Sequence, residues 1–321
     1  MQRALRIAIL FLILLFVVAA MWLGPYALRL QHFDANPTKG YSADFYLYTS
    51  ATARRAGRSG QVITILVQPN NSGISSDDPR LHRRDAWWTG LERRPIAEEL
   101  GVVLLVPAFI RPGEDWHIYT HALDRDSLTN ERLDLQRIDL QLIAMIDQAR
   151  AELAKAQIQT DEKVLIQGFS ASGMFANRFT LLHPERVKAA AIGSPGGWPI
   201  VPVESFRGES LPYPAGIYDL ESLINSPFDS VTYNAIPQLI YMGSADENDS
   251  LDFTDGWDEK DARRVNQLFG TDPLARWADA ESIYKEAGAN VQFLLIAGVG
   301  HDRQALQKYS TEFFKKVLNG E

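Results

Sequence analysis

Three residues whose side chains suit nucleophilic catalysis each follow a short apolar run of the sequence. Ser170 follows "VLIQGF", Asp246 follows "LIYMGSA" and His301 follows "VQFLLIAGVG". A serine hydroxyl is a weak nucleophile near neutral pH, and it reacts when a histidine removes its proton and a carboxylate orients that histidine. The residues therefore predict attack on a carbonyl carbon, with Ser170 as nucleophile, His301 as base and Asp246 as the orienting acid.

The residues around the serine are those of a sharp turn from a strand into a helix. The segment "GFSASG" follows the G-x-S-x-G pattern of a nucleophile elbow, except that Ser172 takes the fifth position and Gly173 comes one step later. Strand and helix nearly touch at such a turn, so its neighbours must be small, and serine is small enough. A plain glycine-serine turn is the alternative, but the apolar run before Ser170 and the helical spacing after it favour the elbow.

The acid has a second candidate in the same loop. The chain reads "GSADEND" after the apolar run, which places Asp246 in the first turn beyond the strand and Asp249 three residues later. We favour Asp246 because the G-x-x-D spacing from Gly243 places it in this first turn. Asp249 is the competing candidate, and the remaining alternative is that both are solvated acids of the loop.

The charge that develops on a carbonyl oxygen under attack requires hydrogen-bond donors. The backbone N–H of Ala171, the residue after the nucleophile, is the first expected donor of this oxyanion hole. The second is expected in the loop "PNNSG" after an earlier strand, from Asn70 or Asn71. An ordinary turn is the alternative interpretation of that loop.

Short runs rich in Val, Ile and Leu alternate with helical segments from Tyr41 onward. Such continuous apolar runs are typical of parallel strands that helices cover on both faces. We predict a three-layer α/β/α sandwich with a mostly parallel sheet, whose ligand binds beyond the carboxyl ends of the strands. The predicted strands are 43–50, 61–68, 101–109, 163–168, 187–194, 237–244 and 291–298. The predicted helices are 133–153, 171–182, within 273–287, and 304–318, with a further helix around 96–100.

The first 28 residues form a candidate membrane segment. Arg3 and Arg6 precede a run without charge from residue 7 to residue 28, which is long enough to cross a bilayer. An uncleaved anchor is favoured over a cleaved signal peptide, for which Val18 and Ala20 supply small residues. A buried core helix is the third alternative. The two favoured readings place the rest of the chain outside the cytoplasm, either membrane-anchored or secreted.

Two further divisions of the chain follow from composition. Residues 29–40 are polar, contain Pro37 and Gly40, and are predicted to be a linker. Residues 41–321 are predicted to form one domain, because 46% of the whole chain is hydrophobic and can build a large core.

Composition also excludes several classes of site. The chain has no cysteine, which excludes disulfides and thiolate metal sites. Its net charge is −8 with scattered basic residues, so no nucleic-acid partner is expected. An EF-hand aligned from Asp246 would need glycine and glutamate where Leu251 and Trp257 stand. His117 and His121 have no obvious third ligand, so no metal and no cofactor are predicted.

The motifs "GFSASG", "GSAD" and "GVGH", each behind a predicted strand and in this order, resemble those of the α/β-hydrolase superfamily. The resemblance covers roughly residues 60–315 and is strongest to esterases of the polyhydroxybutyrate-depolymerase and feruloyl-esterase type. It implies hydrolysis of a small or polymeric carboxylic ester through an acyl-enzyme, without a cofactor. A peptidase or acyltransferase with the same triad is an alternative, and so is a non-catalytic, membrane-tethered binding protein.

Aromatic and histidine side chains near the strand ends predict where the substrate binds. They are expected to form a moderately apolar pocket, with packing in the interior as the alternative for each. The predicted pocket residues are Phe109, Trp116, His117, Tyr119 and Trp198.

Overall fold

The computed structural model describes residues 11–13, 29–71 and 73–321. The predicted membrane segment at 1–28 lies outside these residues, except for three helical residues, Phe11–Ile13. Within the described ranges, no helix is both long enough and apolar enough to cross a bilayer.

The strands of the described chain build one large sheet and one small hairpin. In chain order they are β1 (Leu30–Phe33), β2 (Phe45–Thr49), β3 (Ile65–Val67), β4 (Val103–Pro107), β5 (Val164–Phe169), β6 (Val187–Gly193), β7 (Ser205–Phe206), β8 (Glu209–Ser210), β9 (Gln238–Gly243) and β10 (Val291–Ile296). The large sheet has the order β1-β2-β4-β3-β5-β6-β9-β10, and β7 pairs with β8. β2 is antiparallel to β1 and β4, and the other pairs of the large sheet are parallel. The predicted mostly parallel sheet is confirmed.

Helices cover both faces of this sheet. They are α1 (Ala51–Arg58), α2 (Pro79–Leu100), α3 (Arg125–Thr129), α4 (Ile138–Lys155), α5 (Ala171–Leu182), α6 (Leu220–Ile224), α7 (Ser230–Ala235), α8 (Glu259–Phe269), α9 (Pro273–Glu286) and α10 (Arg303–Asn319). The alternation of side chains along a strand separates two hydrophobic clusters. On β4, Val103 and Leu105 belong to one cluster and Leu104 and Val106 to the other. The first cluster is covered by α1, α4, α5, α8 and α9, and the second by α2 and α10.

The predicted linker at 29–40 is wrong in part, because this segment contributes β1 to the sheet. Leu30 to Phe33 pair with Tyr48 to Phe45 in antiparallel register, and Leu30 is buried. The polar composition of the segment reflects an edge strand, on which Gln31 and His32 are exposed. The sheet therefore begins directly after the predicted membrane segment.

The helix α2 is the element that sequence reasoning missed most, since only its last turn, near Ile96, was expected. Its start is set by Asp78, whose side chain accepts a hydrogen bond from the Arg80 N–H, and by Pro79 in the first helical position. Gly101, with φ of 67°, ends it in the left-handed conformation. The helix carries many charged residues, which hid its apolar stripe.

A buried ion pair joins the start of α4 to the end of α5. Asp139 is fully buried and accepts hydrogen bonds from His183 Nε2 (2.9 Å) and Arg137 Nη2 (2.8 Å). Burial alone would lower the pKa of His183, but its contacts with Asp139 and Glu185 raise that pKa above the ordinary value. Because the pKa is raised on folding, the stabilisation is complete below the ordinary pKa of histidine and is lost as the pH rises through the raised pKa.

Replacing His183 by glutamine tests this ion pair. We expect His183→Gln to lower the free energy of unfolding by about 3 kcal/mol at about pH 6, since it removes one partner of a buried pair. The difference from the parent protein should shrink by about pH 9, where the parent loses the same charge. Urea unfolding at the two pH values measures this. A difference of equal size at both would contradict the role given to protonated His183.

Candidate active site

Ser170 stands on a strained corner between β5 and α5. Its backbone has φ of 60° and ψ of −129°, a conformation that non-glycine residues adopt rarely and at a cost. Two backbone hydrogen bonds hold it there. The Ser170 N–H donates to the Gly193 carbonyl at the end of β6 (2.9 Å), and the Met174 N–H donates to the Ser170 carbonyl (2.9 Å). This is the backbone geometry of a nucleophile elbow.

The small residues of the elbow have separate physical reasons. A Cβ on Gly168 would lie 1.9 Å from the Ser172 carbonyl oxygen, and one on Gly173 would lie 2.4 Å from the Gly193 carbonyl oxygen. The hydroxyl of Ser172 accepts from the Phe169 N–H (3.0 Å) and donates to the Phe169 carbonyl (2.9 Å). Serine is therefore accommodated at the fifth position, while glycine is needed one step later because the helix passes β6 there.

Asp246 and His301 meet at the same edge of the sheet, after the adjacent strands β9 and β10. His301 Nδ1 lies 3.0 Å and 2.9 Å from the two carboxylate oxygens of Asp246, which is buried. Burial alone would raise the pKa of Asp246, but hydrogen bonds from His301 and from the Asn248 N–H hold it below its usual range. An ionised carboxylate only accepts hydrogen bonds, so Nδ1 carries the proton and the other ring nitrogen, Nε2, is left to accept one.

The loop that carries His301 rests directly on the end of β9. The Ala245 N–H donates to the Val299 carbonyl (2.9 Å), and the Gly298 N–H donates to the Ser244 hydroxyl (2.9 Å). A Cβ on Gly243 would lie only 1.9 Å from the Val299 carbonyl oxygen. The contact bends the chain after β10 back across β9.

Ser170 and His301 line one cleft of about 550 Å³. The Phe169 ring packs on the His301 imidazole with 4.7 Å between ring centroids. The Ser170 hydroxyl has no hydrogen-bond partner among the residues that the structure describes, so it is free within the cleft. Free hydroxyl and imidazole therefore share a space large enough for a substrate.

The competing acid, Asp249, has other partners. Its Oδ2 accepts from Arg276 Nη1 (2.7 Å), and its Oδ1 accepts from the Leu251 N–H (3.0 Å). Both ionised side chains are buried. Asp249 therefore fixes the loop after β9 to α9, and Asp246 is the aspartate in contact with His301.

The three residues expected to form the oxyanion hole differ in their positions around the elbow and in their partners. The N–H of Ala171 opens α5, where the first N–H groups of a helix have no partner within it. Asn71 lines the cleft, and its Nδ2 donates to the Phe169 carbonyl (3.3 Å). Asn70 is fully buried, and its side-chain amide clamps the backbone N–H and carbonyl of Phe109 (3.1 Å and 2.9 Å). Asn71 is thus the asparagine beside Ser170, and Asn70 anchors its loop.

Of the five predicted pocket residues, Tyr119 lines the cleft with Ser170. Its ring lies 4.1 Å from the guanidinium carbon of Arg111, which pairs with Asp255 (2.6 Å). Trp116 and His117 are not part of this lining; both are exposed elsewhere on the loop after β4.

The predictions of Phe109 and Trp198 as pocket residues are wrong, because both are buried in the hydrophobic core. Phe109 stacks on Phe175 of α5, with 5.7 Å between centroids. Trp198 stacks on Phe269 at 4.2 Å and donates its indole N–H to the Ala215 carbonyl (3.0 Å). An aromatic residue after a strand can turn towards the substrate or under the loop, and spacing alone does not distinguish the two.

Sequence reasoning missed the wall of the cleft that α2 supplies. Asp85, Trp88, Thr89 and Glu92 all line the cleft. Their spacing of three and four residues puts them on one helix face. This spacing was the signal in the sequence, but it could not be used because no helix was predicted over these residues. The remaining lining residues are Gln68, Pro69, Gly73, Arg93, Phe169, Ser172 and Arg303.

One group of side chains has the composition of a metal site. His32, Asp34 and Asp44 have ligand atoms within 4.8 Å of one another. Arg83 Nη1 already lies 3.3 Å from an Asp44 oxygen, and His32 Nε2 lies 2.8 Å from the same atom. Since a guanidinium occupies the carboxylate, this group forms a surface ion-pair network. His121 is buried and bonds the Phe109 carbonyl (2.8 Å), so it is not paired with His117 as a ligand.

Comparisons with known proteins identify the fold. No family model and no curated protein matches the sequence. The solved structure of poly(aspartic acid) hydrolase-1 from Sphingomonas sp. KT-1 is similar with a TM-score of 0.56 and 20% identity, covering 88% of this chain and 97% of that one. LpqC, a poly(3-hydroxybutyrate) depolymerase from Bordetella parapertussis, gives a TM-score of 0.54 and 17% identity over 92% of each chain. With the strand order and the elbow, they define the α/β-hydrolase fold, as the sequence motifs implied.

The contact between α5 and β6 can be tested through its glycine. We expect Gly173→Ala to lower the free energy of unfolding by about 3 kcal/mol, because the new methyl group meets a backbone carbonyl that cannot move aside. Gly90→Ala is the matched control. Its Cβ would meet only the end of the Leu30 side chain, so a change within about 1 kcal/mol is expected there. Urea unfolding compares the two, and equal stabilities would contradict the packing argument.

Proposed function

We propose that this protein is a serine hydrolase that cleaves carboxylic esters, with Ser170, His301 and Asp246 as its catalytic triad. The observation that carries the proposal is the bond between His301 Nδ1 and the buried Asp246 carboxylate, at the rim of the cleft that also holds Ser170. The bond fixes the tautomer in which Nε2 accepts a proton.

In the proposed reaction, the Ser170 oxygen attacks the ester carbonyl while His301 Nε2 takes the hydroxyl proton. The N–H of Ala171 and a donor from the Asn71 loop stabilise the oxyanion that forms. The tetrahedral intermediate collapses, the carbon–oxygen bond to the alcohol breaks, and His301 returns the proton to the leaving alcohol. Water then attacks the acyl-enzyme by the same route and releases the acid.

Support for hydrolysis over binding comes from the backbone at the elbow. A protein that only bound a ligand would have no need to hold Ser170 in a conformation that costs about 1–3 kcal/mol. The strain lifts a hydroxyl without a described partner into the cleft, which is the condition for nucleophilic attack. We therefore favour the hydrolase over the membrane-tethered binding protein.

The type of bond that is cleaved, an ester rather than an amide, is also part of the proposal. Two of the similar structures are a poly(3-hydroxybutyrate) depolymerase and a poly(aspartic acid) hydrolase, and the first favours an ester substrate, small or polymeric. A peptidase or acyltransferase would use the same residues, since the triad does not decide the substrate. Attachment to a membrane through residues 1–28, with the enzyme outside the cytoplasm, also stays a prediction.

Covalent labelling tests the nucleophile. We expect a fluorophosphonate probe to label the protein and Ser170→Ala to abolish the labelling, since the probe reacts with an activated serine. Ser172→Ala is the matched control, because its hydroxyl lines the same cleft but is bound to the Phe169 backbone. Release of nitrophenol from esters without release of nitroaniline from the matching amides would favour the esterase. Labelling that survives in Ser170→Ala would remove this serine from the mechanism.

The assignment of the acid is tested by two substitutions three residues apart. Asp246→Asn should lower kcat by about 10³–10⁴, because an asparagine does not hold the imidazole in the required tautomer. Asp249→Asn should keep kcat within about tenfold but lower the free energy of unfolding by about 3 kcal/mol, since it leaves Arg276 buried without its partner. Ester hydrolysis and urea unfolding of both variants measure the contrast. The reverse pattern would assign the acid to Asp249.

A further inference from the structure

The α2 wall of the cleft carries a carboxylate without a counter-charge. Asp85 forms no ion pair with any residue that the structure describes, and its Oδ2 is buried without a hydrogen-bond partner. Burial, more than the like charge of Glu92, raises the pKa of Asp85 to about 6, and a side-chain hydrogen bond with the Asn70 amide opposes this rise. The group is therefore mostly ionised near neutral pH, at a cost that an opposite charge would offset.

The two arginines that line the cleft do not contact Asp85. Arg303 pairs with Glu92 at 3.0 Å, and Arg93, two turns along α2 from Asp85, donates to the neutral side-chain oxygen of Gln307. The histidines behind this wall supply no charge near neutral pH. Burial lowers the pKa of His82, one turn before Asp85, and lowers that of His121, beside Asn70, to about 3. Within the described residues, no positive charge is therefore paired with Asp85, which lines the cleft.

Trp88 stands one helical turn after Asp85 on the same face. Half of its surface is exposed (50%), which is unusual for so large an apolar side chain beside a cleft. The ring is braced by Trp87 in a T-shaped contact, with 4.8 Å between centroids. Tryptophan binds cations through its ring face better than other aromatic side chains do. An ammonium group is bound by an opposite charge and by the face of an aromatic ring, and the Asp85 carboxylate and the Trp88 indole offer these two features.

We infer that Asp85 and Trp88 form a subsite for a cationic group, an ammonium or quaternary ammonium, on the alcohol part of the ester. The inference rests on the proposed function, which sets where the ester bond lies. Glu92, on the same helix face, is paired with Arg303, two residues after His301. This face therefore lies on the side of the imidazole, and the imidazole gives its proton to the leaving alcohol. A neutral ring, such as a sugar, would leave the charge of Asp85 uncompensated.

A matched pair of esters tests the subsite in the full-length protein. Acetylcholine and its carbon isostere, in which a tert-butyl group replaces the trimethylammonium group, have the same shape and differ in charge. We expect kcat/KM to be about tenfold higher for the cationic ester. Asp85→Asn should remove this preference, so that the two esters are cleaved with similar kcat/KM, and Trp88→Leu should reduce it. The preference should also fade below about pH 6, as Asp85 takes up a proton.

Two control variants lie outside the cleft lining. Trp116 is exposed to nearly the same extent as Trp88 (49%) and also contacts a neighbouring ring in a T shape, that of His117. Asp126 is a half-buried aspartate whose pKa is likewise raised by burial. Trp116→Leu and Asp126→Asn should leave the ratio of the two esters unchanged.

The outcomes separate this inference from the proposed function. Hydrolysis of both esters without a cationic preference, or a preference that survives in Asp85→Asn, overturns the subsite and leaves the hydrolase standing. A preference for an acetylated sugar that needs Trp88 but not Asp85 also overturns it. If neither ester is cleaved, fluorophosphonate labelling of Ser170 decides the proposed function, and calorimetric titration with choline decides the subsite. Choline binding that Asp85→Asn abolishes supports it, and no binding by the parent protein overturns it.

Discussion

The close approach of α5 to the end of β6 is the contact on which the candidate site depends. Gly173 lies against the Gly193 carbonyl, and the Ser170 N–H donates to that same carbonyl. The Gly193 carbonyl oxygen thus accepts a hydrogen bond from the strained residue, Ser170, and also sets how closely α5 can approach β6. With any side chain at Gly173 the helix would retreat, and Ser170 would lose the bond that keeps its rare backbone conformation.

The residues around Ser170 are held by two kinds of contact that differ in strength. Asp246 and His301 are joined by short bonds between neighbouring loops, and the loops are fixed by buried ion pairs such as Asp249 with Arg276. The cleft walls depend on partly exposed pairs, including Arg111 with Asp255 and Glu92 with Arg303. Exposed ion pairs contribute little to stability. Asp246 and His301 are therefore held more firmly than the walls of the cleft.

The sequence predicted the interior of the sheet better than its edges, for a physical reason. Buried strands must be apolar on both faces, so β4, β5, β6 and β9 were found to within a few residues. The edge strand β10 is partly exposed, but its nearly continuous run of apolar residues made it equally clear. The edge strand β1 and the charged helix α2 have solvent on one side, and their apolar residues are too sparse to stand out. α1 buries only Ala53 and Gly57, which give no apolar pattern at all.

Site residues could be predicted from the sequence where a local constraint fixes their position, and not elsewhere. The elbow needs glycines at fixed spacing, and the loops after β9 and β10 are short, so the order of strands constrains Asp246 and His301. No such constraint acts on aromatic residues. Phe109 is turned inward by the Asn70 clamp, which joins two loops that lie 39 residues apart in sequence. Such a contact becomes visible only once the chain is folded.

The position of Gly243 has one consequence for how the imidazole reaches the serine. In the sheet, β5 and β10 are separated by β6 and β9, so the chain after β10 has to lean across two strands to bring His301 near Ser170. The chain can cross this far because the Val299 carbonyl oxygen occupies the space that a Cβ at Gly243 would fill. The missing side chain at Gly243, next to the loop of Asp246, therefore sets how close His301 can come to Ser170.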